Sequence, residues 1–125
     1  MARISMRQLV GAPVWLRNWS EQFSKLETAT IDSGVLTVTG DSFMVNPLPE
    51  NSTSDQIDSI ACTKQLKFGD LLMLFVPATN TITVDDANIN LGAGTRAIGP
   101  GGNLVLMWNG TKWNEISFLA GADNS

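Results

Sequence analysis

Few residues in this 125-residue sequence could carry out chemistry. There is no histidine, which excludes imidazole-activated nucleophiles, histidine-bound zinc or haem, and a histidine switch near neutral pH. The single cysteine, Cys62, can form neither an intrachain disulfide nor a thiolate zinc site. It lies in the apolar run Ile60-Ala61-Cys62 and is expected to pack as a small buried hydrophobe.

Asp85 and Asp86 form the only adjacent pair of acidic residues. They could be catalytic carboxylates, or calcium ligands together with Asn88 and Asn90. Neighbouring residues on a strand point to opposite faces, whereas an acid and a base must converge on one reacting atom. The spacing also lacks the closing glutamate of a calcium-binding loop. We therefore interpret this segment as a turn, where Asp and Asn are common.

Two glycine-rich segments, Gly92-Ala93-Gly94 and Gly99-Pro100-Gly101-Gly102, superficially resemble phosphate-binding loops. Neither opens a helix after a strand or contains Gly-Lys-Ser/Thr, so both are predicted to be tight connections between strands. Lys64 and Lys67 are expected to be solvated, because nothing nearby indicates the apolar burial that activates a lysine. The sequence thus predicts no catalytic residue, no metal site and no cofactor, and the protein is not expected to be an enzyme.

Charge is unevenly spread along the chain, whose net charge is −4. Residues 1–17 contain Arg3, Arg7 and Arg17 and no acid, whereas the remainder holds five basic and twelve acidic residues. Three arginines are fewer than a phosphate-binding region normally gathers, so a nucleic-acid partner is not expected. An arm that docks on a protein surface through its arginines and aromatic residues fits this composition better.

The segment from Asn18 to Glu27 predicts a short helix. Asn18 could cap its start, and Trp19, Phe23 and Leu26 recur at the spacing of one helical face. This apolar stripe could pack on the chain's own body or, in an oligomer, on a neighbouring subunit. No segment is long and apolar enough to span a membrane, and the first residues lack the apolar core of a signal peptide.

From Thr28 onward the pattern is typical of β-structure. Short runs rich in β-branched residues are separated by glycine, proline and asparagine, which predicts a sandwich or barrel. The predicted strands are Thr28 to Asp32, Val35 to Thr39, Ser42 to Asn46, Ile57 to Cys62, Asp70 to Val76, Thr81 to Val84, Asn88 to Leu91, Arg96 to Ile98, Leu104 to Trp108 and Lys112 to Phe118. The first two are predicted to form a hairpin around Ser33-Gly34, and residues 47–55 a surface loop.

The closing hairpin carries the strongest local signal, Asn109-Gly110, which favours a two-residue type I′ turn. That turn would place Leu106 opposite Trp113 and Met107 opposite Lys112. The strands 71–76 and 104–108 are apolar at successive positions, so both of their faces should be covered. In so small a domain the economical source of the second cover is another subunit.

About half of the chain, from Ile57 to Phe118, contains an ordered series of motifs. They are Ile57-Asp58-Ser59-Ile60, Gly69-Asp70-Leu71-Leu72-Met73-Leu74, Thr81-Ile82-Thr83-Val84, Asn88-Ile89-Asn90-Leu91 and the closing hairpin with Asn109-Gly110-Thr111 before Trp113-Asn114-Glu115. This order and spacing resemble a β-module of tailed-bacteriophage virion proteins, which include capsid decoration (cement) proteins, head fibres and tail fibres. The sequence departs from the pattern at Trp108, where a smaller aromatic residue is common, and in the turn after Asp85.

The resemblance implies an all-β, mainly antiparallel sandwich or jelly-roll-like body that forms a trimer, with outward apolar faces meeting about a threefold axis. Residues 1–27 would be an arm and helix that attach to the capsid or to a neighbouring subunit, and residues 28–125 the β-body. Attachment is expected from Arg3, Arg7, Trp15, Arg17, Trp19 and Phe23. The trimer interface or core is expected from Leu72, Leu74, Leu106, Trp108 and Trp113.

The short length and the absence of heptads or fibrous repeats favour a capsid decoration protein over a tail fibre. The expected partners are the major capsid protein and further copies of the chain, with no nucleic acid and no membrane, on a capsid assembled in the host cytoplasm. The alternative is a tail-fibre, tailspike or vertex module, in which exposed Trp108 or Trp113 stacks on a receptor sugar.

Overall fold

The computed structural model describes residues 26–77 and 79–122, and this part of the chain is all β. The eleven strands are β1 Leu26–Thr30, β2 Val35–Val38, β3 Met44–Leu48, β4 Ser54–Ile57, β5 Ser59–Cys62, β6 Leu71–Phe75, β7 Thr81–Asp85, β8 Ile89–Asn90, β9 Thr95–Ile98, β10 Asn103–Trp108 and β11 Trp113–Leu119. These residues form no helix, so they include no helix that could span a membrane.

Six strands form the largest sheet, in the order β1-β3-β6-β10-β11-β8. Strands β1, β3 and β6 are mutually parallel, β10 runs antiparallel to β6 and β11, and β8 pairs parallel with β11. A second layer consists of the parallel pair β2-β5 and the three-stranded sheet β4-β7-β9. The all-β, sandwich-like architecture predicted from the sequence is confirmed, although the sheets are mixed rather than mainly antiparallel.

Parallel neighbours need a connection that leaves the sheet and returns. In this protein β2 makes that crossing between β1 and β3, and β4 with β5 makes it between β3 and β6. Strands of the second layer thus take the place that a helix takes in a βαβ unit. One face of the six-stranded sheet is therefore buried by strands that lie, in sequence, between the strands of that sheet.

The core lies between the two layers. Its side chains come from all three sheets, and because each is removed from water, together they supply the main driving force for folding. The fully or nearly fully buried apolar residues are Ile31, Leu36, Val38, Val45, Ile57, Leu72, Leu74, Val76, Ile82, Val84, Ile89, Ile98, Leu104, Leu106 and Trp113.

The predicted hairpin around Ser33-Gly34 is wrong in its strand pairing. The tight turn exists: Ser33 and Gly34 have φ of 50° and 82°, and Asp32 and Val35 exchange two backbone hydrogen bonds of 2.9 Å. However, Ile31 N–H donates to the Leu48 carbonyl, so the first strand stays with β3 until the turn begins. The turn then sends the chain into the second layer.

The predicted strand from Ile57 to Cys62 is two strands, separated at Asp58. Backbone N–H groups of Asp58 and Ser59 both donate to the Gly34 carbonyl, at 2.7 and 3.2 Å, so the turn after β1 docks on this break. The chain changes here from the three-stranded sheet to the two-stranded one. The strand predicted at Ser42 to Asn46 is likewise displaced, to Met44–Leu48.

The closing hairpin forms, but not with the predicted two-residue turn. Trp108 pairs directly with Trp113, which leaves a four-residue loop. The Asn109 side chain explains the difference, because its Oδ1 accepts hydrogen bonds from the N–H groups of Thr111 and Lys112, both at 2.8 Å. The true register differs from the predicted one by two residues, so every side chain keeps its face.

The helix predicted from Asn18 to Glu27 is wrong at its end, where Leu26 and Glu27 already belong to β1. Leu26 pairs with Met44 and Glu27 with Val45 in a parallel ladder. The rest of that prediction, residues 18–25, lies outside the described residues. The proposed boundary between arm and body near residue 27 stays a prediction.

Candidate interface on the outer face of the six-stranded sheet

The two central strands of the large sheet, β6 and β10, lie side by side and carry apolar residues on both faces. Alternate residues point to opposite faces of a strand. Leu72 and Leu74 of β6 pair with Leu106 and Leu104 of β10, and these four side chains form the centre of the core. The intervening residues must therefore point away from the second layer.

We call the side turned away from the second layer the outer face. Its central apolar residues lie in register, with Met44 beside Met73, Met73 beside Val105 and Leu71 beside Met107. Leu71 is 40% exposed, and neither it nor the other four residues in these pairs pack against the buried core. The outer face consists of Leu26, Thr28, Thr30, Met44, Asn46, Leu48, Leu71, Met73, Phe75, Asn90, Asn103, Val105, Met107, Asn114, Ile116, Ser117 and Leu119.

No charged side chain occurs on the outer face. Residues 26–122 nevertheless contain ten acidic and four basic residues, which all lie elsewhere in this part of the chain. The solvent side of an antiparallel sheet is ordinarily polar. A contiguous apolar surface without charges is instead typical of a protein contact surface.

The residues predicted for the trimer interface or core belong to the core. Leu72, Leu74, Leu106 and Trp113 are at most 3% exposed, and Trp108 is half-buried against the same cluster. Trp108 and Trp113 meet edge to face, with ring centroids 5.5 Å apart. The four buried side chains are thus closed off by their own chain, whereas Trp108 keeps part of its surface exposed.

The outer-face residues of the same strands were not named from the sequence. The sequence does show that odd-numbered and even-numbered residues of β6 and β10 are both largely apolar and must point to opposite faces. The missing information was which set faces the second layer. The position of β2, β4 and β5 determines which set is buried. These strands pair in parallel with strands distant in sequence, and such pairing has no local sequence signal.

The predicted attachment residues are Arg3, Arg7, Trp15, Arg17, Trp19 and Phe23. All six lie outside the described residues, so the structure neither groups them nor separates them. Their proposed role in attachment remains a prediction.

The predicted turn is present: Asp86 lies in it, and Asp85 is the last residue of the strand before it. Asp85 ends β7, its Oδ1 accepts a hydrogen bond of 3.1 Å from the Ala87 N–H, and residues 86–88 lead into β8. The Gln56 side chain also donates to Asp85 and to Asp58. Within residues 26–77 and 79–122, no three His, Cys, Asp or Glu side chains are arranged to hold a metal ion.

A cleft of about 230 Å³ opens beside β5 and β6, and the residues that line it include Cys62, Lys64, Lys67 and Trp113. Both lysines are exposed, as predicted, and Lys64 forms an ion pair with Asp41 at the surface. The hydrogen bond from Lys64 to Asp41, with their charge attraction, raises the pKa of Lys64. Cys62 is only partly buried and packs against the edge of the core. This cleft has the ordinary chemistry of a solvated surface.

One ion pair connects the two layers. Arg96 on β9 binds Glu115 on β11 through two hydrogen bonds of 2.7 and 2.8 Å, and its guanidinium lies 4.8 Å from the centre of the Phe118 ring. The hydrogen bond from Arg96 holds the pKa of the Glu115 carboxyl below its usual value, and a hydrogen bond from the Gly92 backbone acts in the same direction. The pair is partly buried and bidentate, which is the geometry of a structural ion pair.

No protein-family model matches this chain, and no curated protein matches it. Among the described residues, the outer face is the surface whose composition departs furthest from that of a solvated protein surface.

Proposed function

We propose that the protein is a structural protein of a tailed-bacteriophage virion, and specifically a capsid decoration (cement) protein that binds the outer capsid as a trimer and stabilises the head. The order of motifs between Ile57 and Phe118 supports the virion assignment. The all-β body supports it too, since those motifs fall on strands β4 to β11.

The observation that carries the proposal is the outer face. The chain covers one side of β6 and β10 and leaves the equally apolar other side partly exposed. An isolated soluble subunit gains nothing from such a surface, which favours aggregation. A subunit that works in an assembly gains binding energy from it.

The proposed work is mechanical. A protein that binds only the assembled shell stabilises that shell by mass action, and the effect grows with the number of contacts formed. In this proposal the β-body bridges neighbouring capsid subunits, and the basic segment 1–17 attaches it to them. The acidic β-body would stay outside, away from the packaged nucleic acid, because like charges repel.

Copy number in purified virions tests the location. A decoration protein should be present in numbers comparable with the major capsid protein, and removing it should lower the temperature at which the head releases its DNA. A few copies per particle would instead support the tail-fibre or vertex alternative, and absence from the particle would contradict both.

The attachment role of the arm has its own test. Deleting residues 1–17, or replacing Arg3, Arg7 and Arg17 with alanine, should abolish binding to capsids that lack the protein while leaving the free oligomer intact. Lys112→Ala is the matched control, since it removes an exposed cation from the β-body. Unchanged capsid binding by the deletion variant would contradict the role of the arm.

Receptor binding through tryptophan is less well supported. Trp113 is 3% exposed, so its ring offers no face on which a sugar could stack. Trp108 is half-buried and uses part of its surface against Trp113. A glycan array with the wild-type protein and Trp108→Ala tests this alternative, which requires binding that the substitution removes.

A further inference from the structure

We propose that the peptide Asn109-Gly110 is a site of spontaneous deamidation that the folded closing hairpin protects, so that the modification occurs in chains whose hairpin has opened. It is the only Asn-Gly pair in the sequence, and Gly110 is exposed. The substrate is the chain itself, and the only co-reactant is water. The chemistry is therefore the same whichever partner the protein binds.

The reaction begins at the backbone nitrogen of Gly110, where the absence of a side chain leaves the attack unobstructed. Once this nitrogen has lost its proton to solvent, it attacks Cγ of Asn109. An N–Cγ bond forms, and the Cγ–Nδ2 bond breaks to release ammonia. Water then opens the resulting succinimide ring. Cleavage of the new N–Cγ bond gives aspartate, and cleavage of the original peptide bond gives isoaspartate, in which the backbone runs through Cγ.

Hydrogen bonds hold both ends of the Asn109 carboxamide. Its Oδ1 accepts from the backbone N–H groups of Thr111 and Lys112, both at 2.8 Å, and its Nδ2 donates to Asn114 Oδ1 at 3.0 Å. Hydrogen bonds to a carbonyl oxygen lie near the plane of its group, so these contacts fix the carboxamide plane. Attack on Cγ comes from above or below that plane and makes the carbon tetrahedral. Ring closure thus breaks the arrangement that the hydrogen bonds maintain.

The restraint on Asn109 extends to the neighbouring strands. Asn114 on β11 also accepts a hydrogen bond of 2.6 Å from Asn90 on β8, and these two residues are paired in the sheet. The Asn109 N–H donates to the Lys112 carbonyl at 2.9 Å, which closes the backbone of the loop. Freeing the Asn109 side chain therefore requires local opening of the hairpin.

The turn itself explains why so reactive a pair occurs here. Gly110 has φ of +98°, which residues with a side chain rarely adopt, and Asn109 supplies the acceptor that organises the loop. The two residues that the turn needs are thus the two that react readily when the turn opens.

Opening of a hairpin is fast compared with deamidation, so the rate in the folded protein follows the population of the open form. Aspartate at this position keeps an acceptor for Thr111 and Lys112 but cannot donate to Asn114. Isoaspartate adds a methylene group to the backbone of a loop that closes between the paired residues Trp108 and Trp113. Chains that contain isoaspartate should therefore refold with lower stability than unmodified chains.

Peptide mass spectrometry tests the inference on the full-length chain, aged in mildly alkaline buffer with and without denaturing guanidinium chloride. The conversion of amide to acid is followed at Asn109, and the exposed Asn51 serves as an internal reference. Asn109 should react at least about tenfold more slowly in the folded protein than in denaturant. Equal rates would overturn the protection, and no reaction in denaturant would overturn the site.

Substitution of Asn114 tests the hydrogen bonds that protect the site. Asn114→Ala should raise the rate at Asn109 several-fold in the folded protein and leave the rate in denaturant unchanged, because Nδ2 loses its acceptor. Asn114→Asp keeps that acceptor and should react like the wild type. Asn88→Ala is the matched control, since its amide donates instead to the Asp58 carbonyl.

Circular dichroism and cooperative unfolding must show that each variant folds. A folded Asn114→Ala protein that reacts as slowly as the wild type would overturn the protecting role of Asn114. Should Asn114→Ala fail to fold, the two states of the wild-type chain still decide whether the fold protects the site.

Discussion

The two faces of β6 and β10 are built from similar residues and have different environments. On the inner face Leu72, Leu74, Leu104 and Leu106 are fully or nearly fully buried. On the outer face their neighbours along the same strands stay partly exposed, and Leu71 is 40% exposed. Hydrophobicity alone therefore does not separate a core from a contact surface.

The difference comes from the path of the chain. The chain leaves the six-stranded sheet to form β2, and again to form β4 and β5, and each time it returns to the sheet. These strands all lie on the same side of the sheet. That side becomes the core. The opposite side receives no strand from residues 26–77 or 79–122, and this is why a partner is the economical source of its cover.

Truncation on the two faces should have unequal effects on folding. Leu74→Ala should lower the free energy of unfolding by about 2 to 5 kcal/mol, because it leaves a cavity in a closed core. Met73→Ala, next to it on the outer face, should cost less than about 1 kcal/mol in the dissociated subunit. Urea unfolding at low protein concentration measures both, and equal losses would contradict the assignment of the faces.

Two adjacent glycines just before β10 differ in the space around them. A Cβ at Gly102 would lie 2.6 Å from the Ala120 carbonyl oxygen, whereas a Cβ at Gly101 would meet nothing within 4 Å. We expect Gly102→Ala to cost about 3 kcal/mol through this backbone clash. Gly101→Ala should cost about 1 to 2 kcal/mol, because Gly101 has φ of +81°.

Thermal unfolding of the two glycine variants measures this difference. The larger fall in Tm should belong to Gly102→Ala. Equal falls in Tm would mean that the backbone of residues 119–122 is not in close contact with Gly102.

The smallest effect concerns the ion pair on the inner side of β11. The pKa of Glu115 is lowered in the folded protein from a usual value near 4.5, so its contribution to stability is present above that value. It is lost as pH falls through the lower, folded-state pKa. Glu115→Gln should remove this part of the acid dependence, with less effect on stability than Leu74→Ala.

Urea unfolding at neutral pH and at successively lower pH values measures the acid dependence. The wild-type protein and Glu115→Gln should converge in stability as the pH falls below about 4.5. Parallel curves over that range would mean that Arg96 does not stabilise the charged form of Glu115.

Local sequence patterns predicted much of the second half of the fold. Strands near Leu71, Thr81 and Leu104 were expected from their composition, and the turns at Asp85 and Asn109 from their turn residues. The register of the last hairpin was missed because the Asn109 side chain takes two backbone N–H groups and enlarges the loop. An asparagine side chain that accepts hydrogen bonds from the next backbone N–H groups is a local feature, so the four-residue loop and the correct register could have been predicted from the sequence.

The first half was predicted less well, for a different reason. Ser33-Gly34 is a good hairpin sequence, and its turn forms, yet the strands on either side join different layers. Long-range parallel pairing decided this outcome, and such pairing leaves no mark on adjacent residues. The same pairing decides which face of β6 is open, so the residues of the candidate interface could not be named from the sequence.

Methionine oxidation tests the central claim most directly, because Met44, Met73 and Met107 all lie on the outer face. Limited peroxide oxidation followed by peptide mass spectrometry measures the reaction rate of each one, with the unfolded chain as the reference. Coverage by a second copy predicts that Met73 and Met107 react more slowly as protein concentration rises, and that Val105→Glu removes this protection. Rates that do not change with concentration in the wild-type protein would contradict the claim that copies of the chain cover this face.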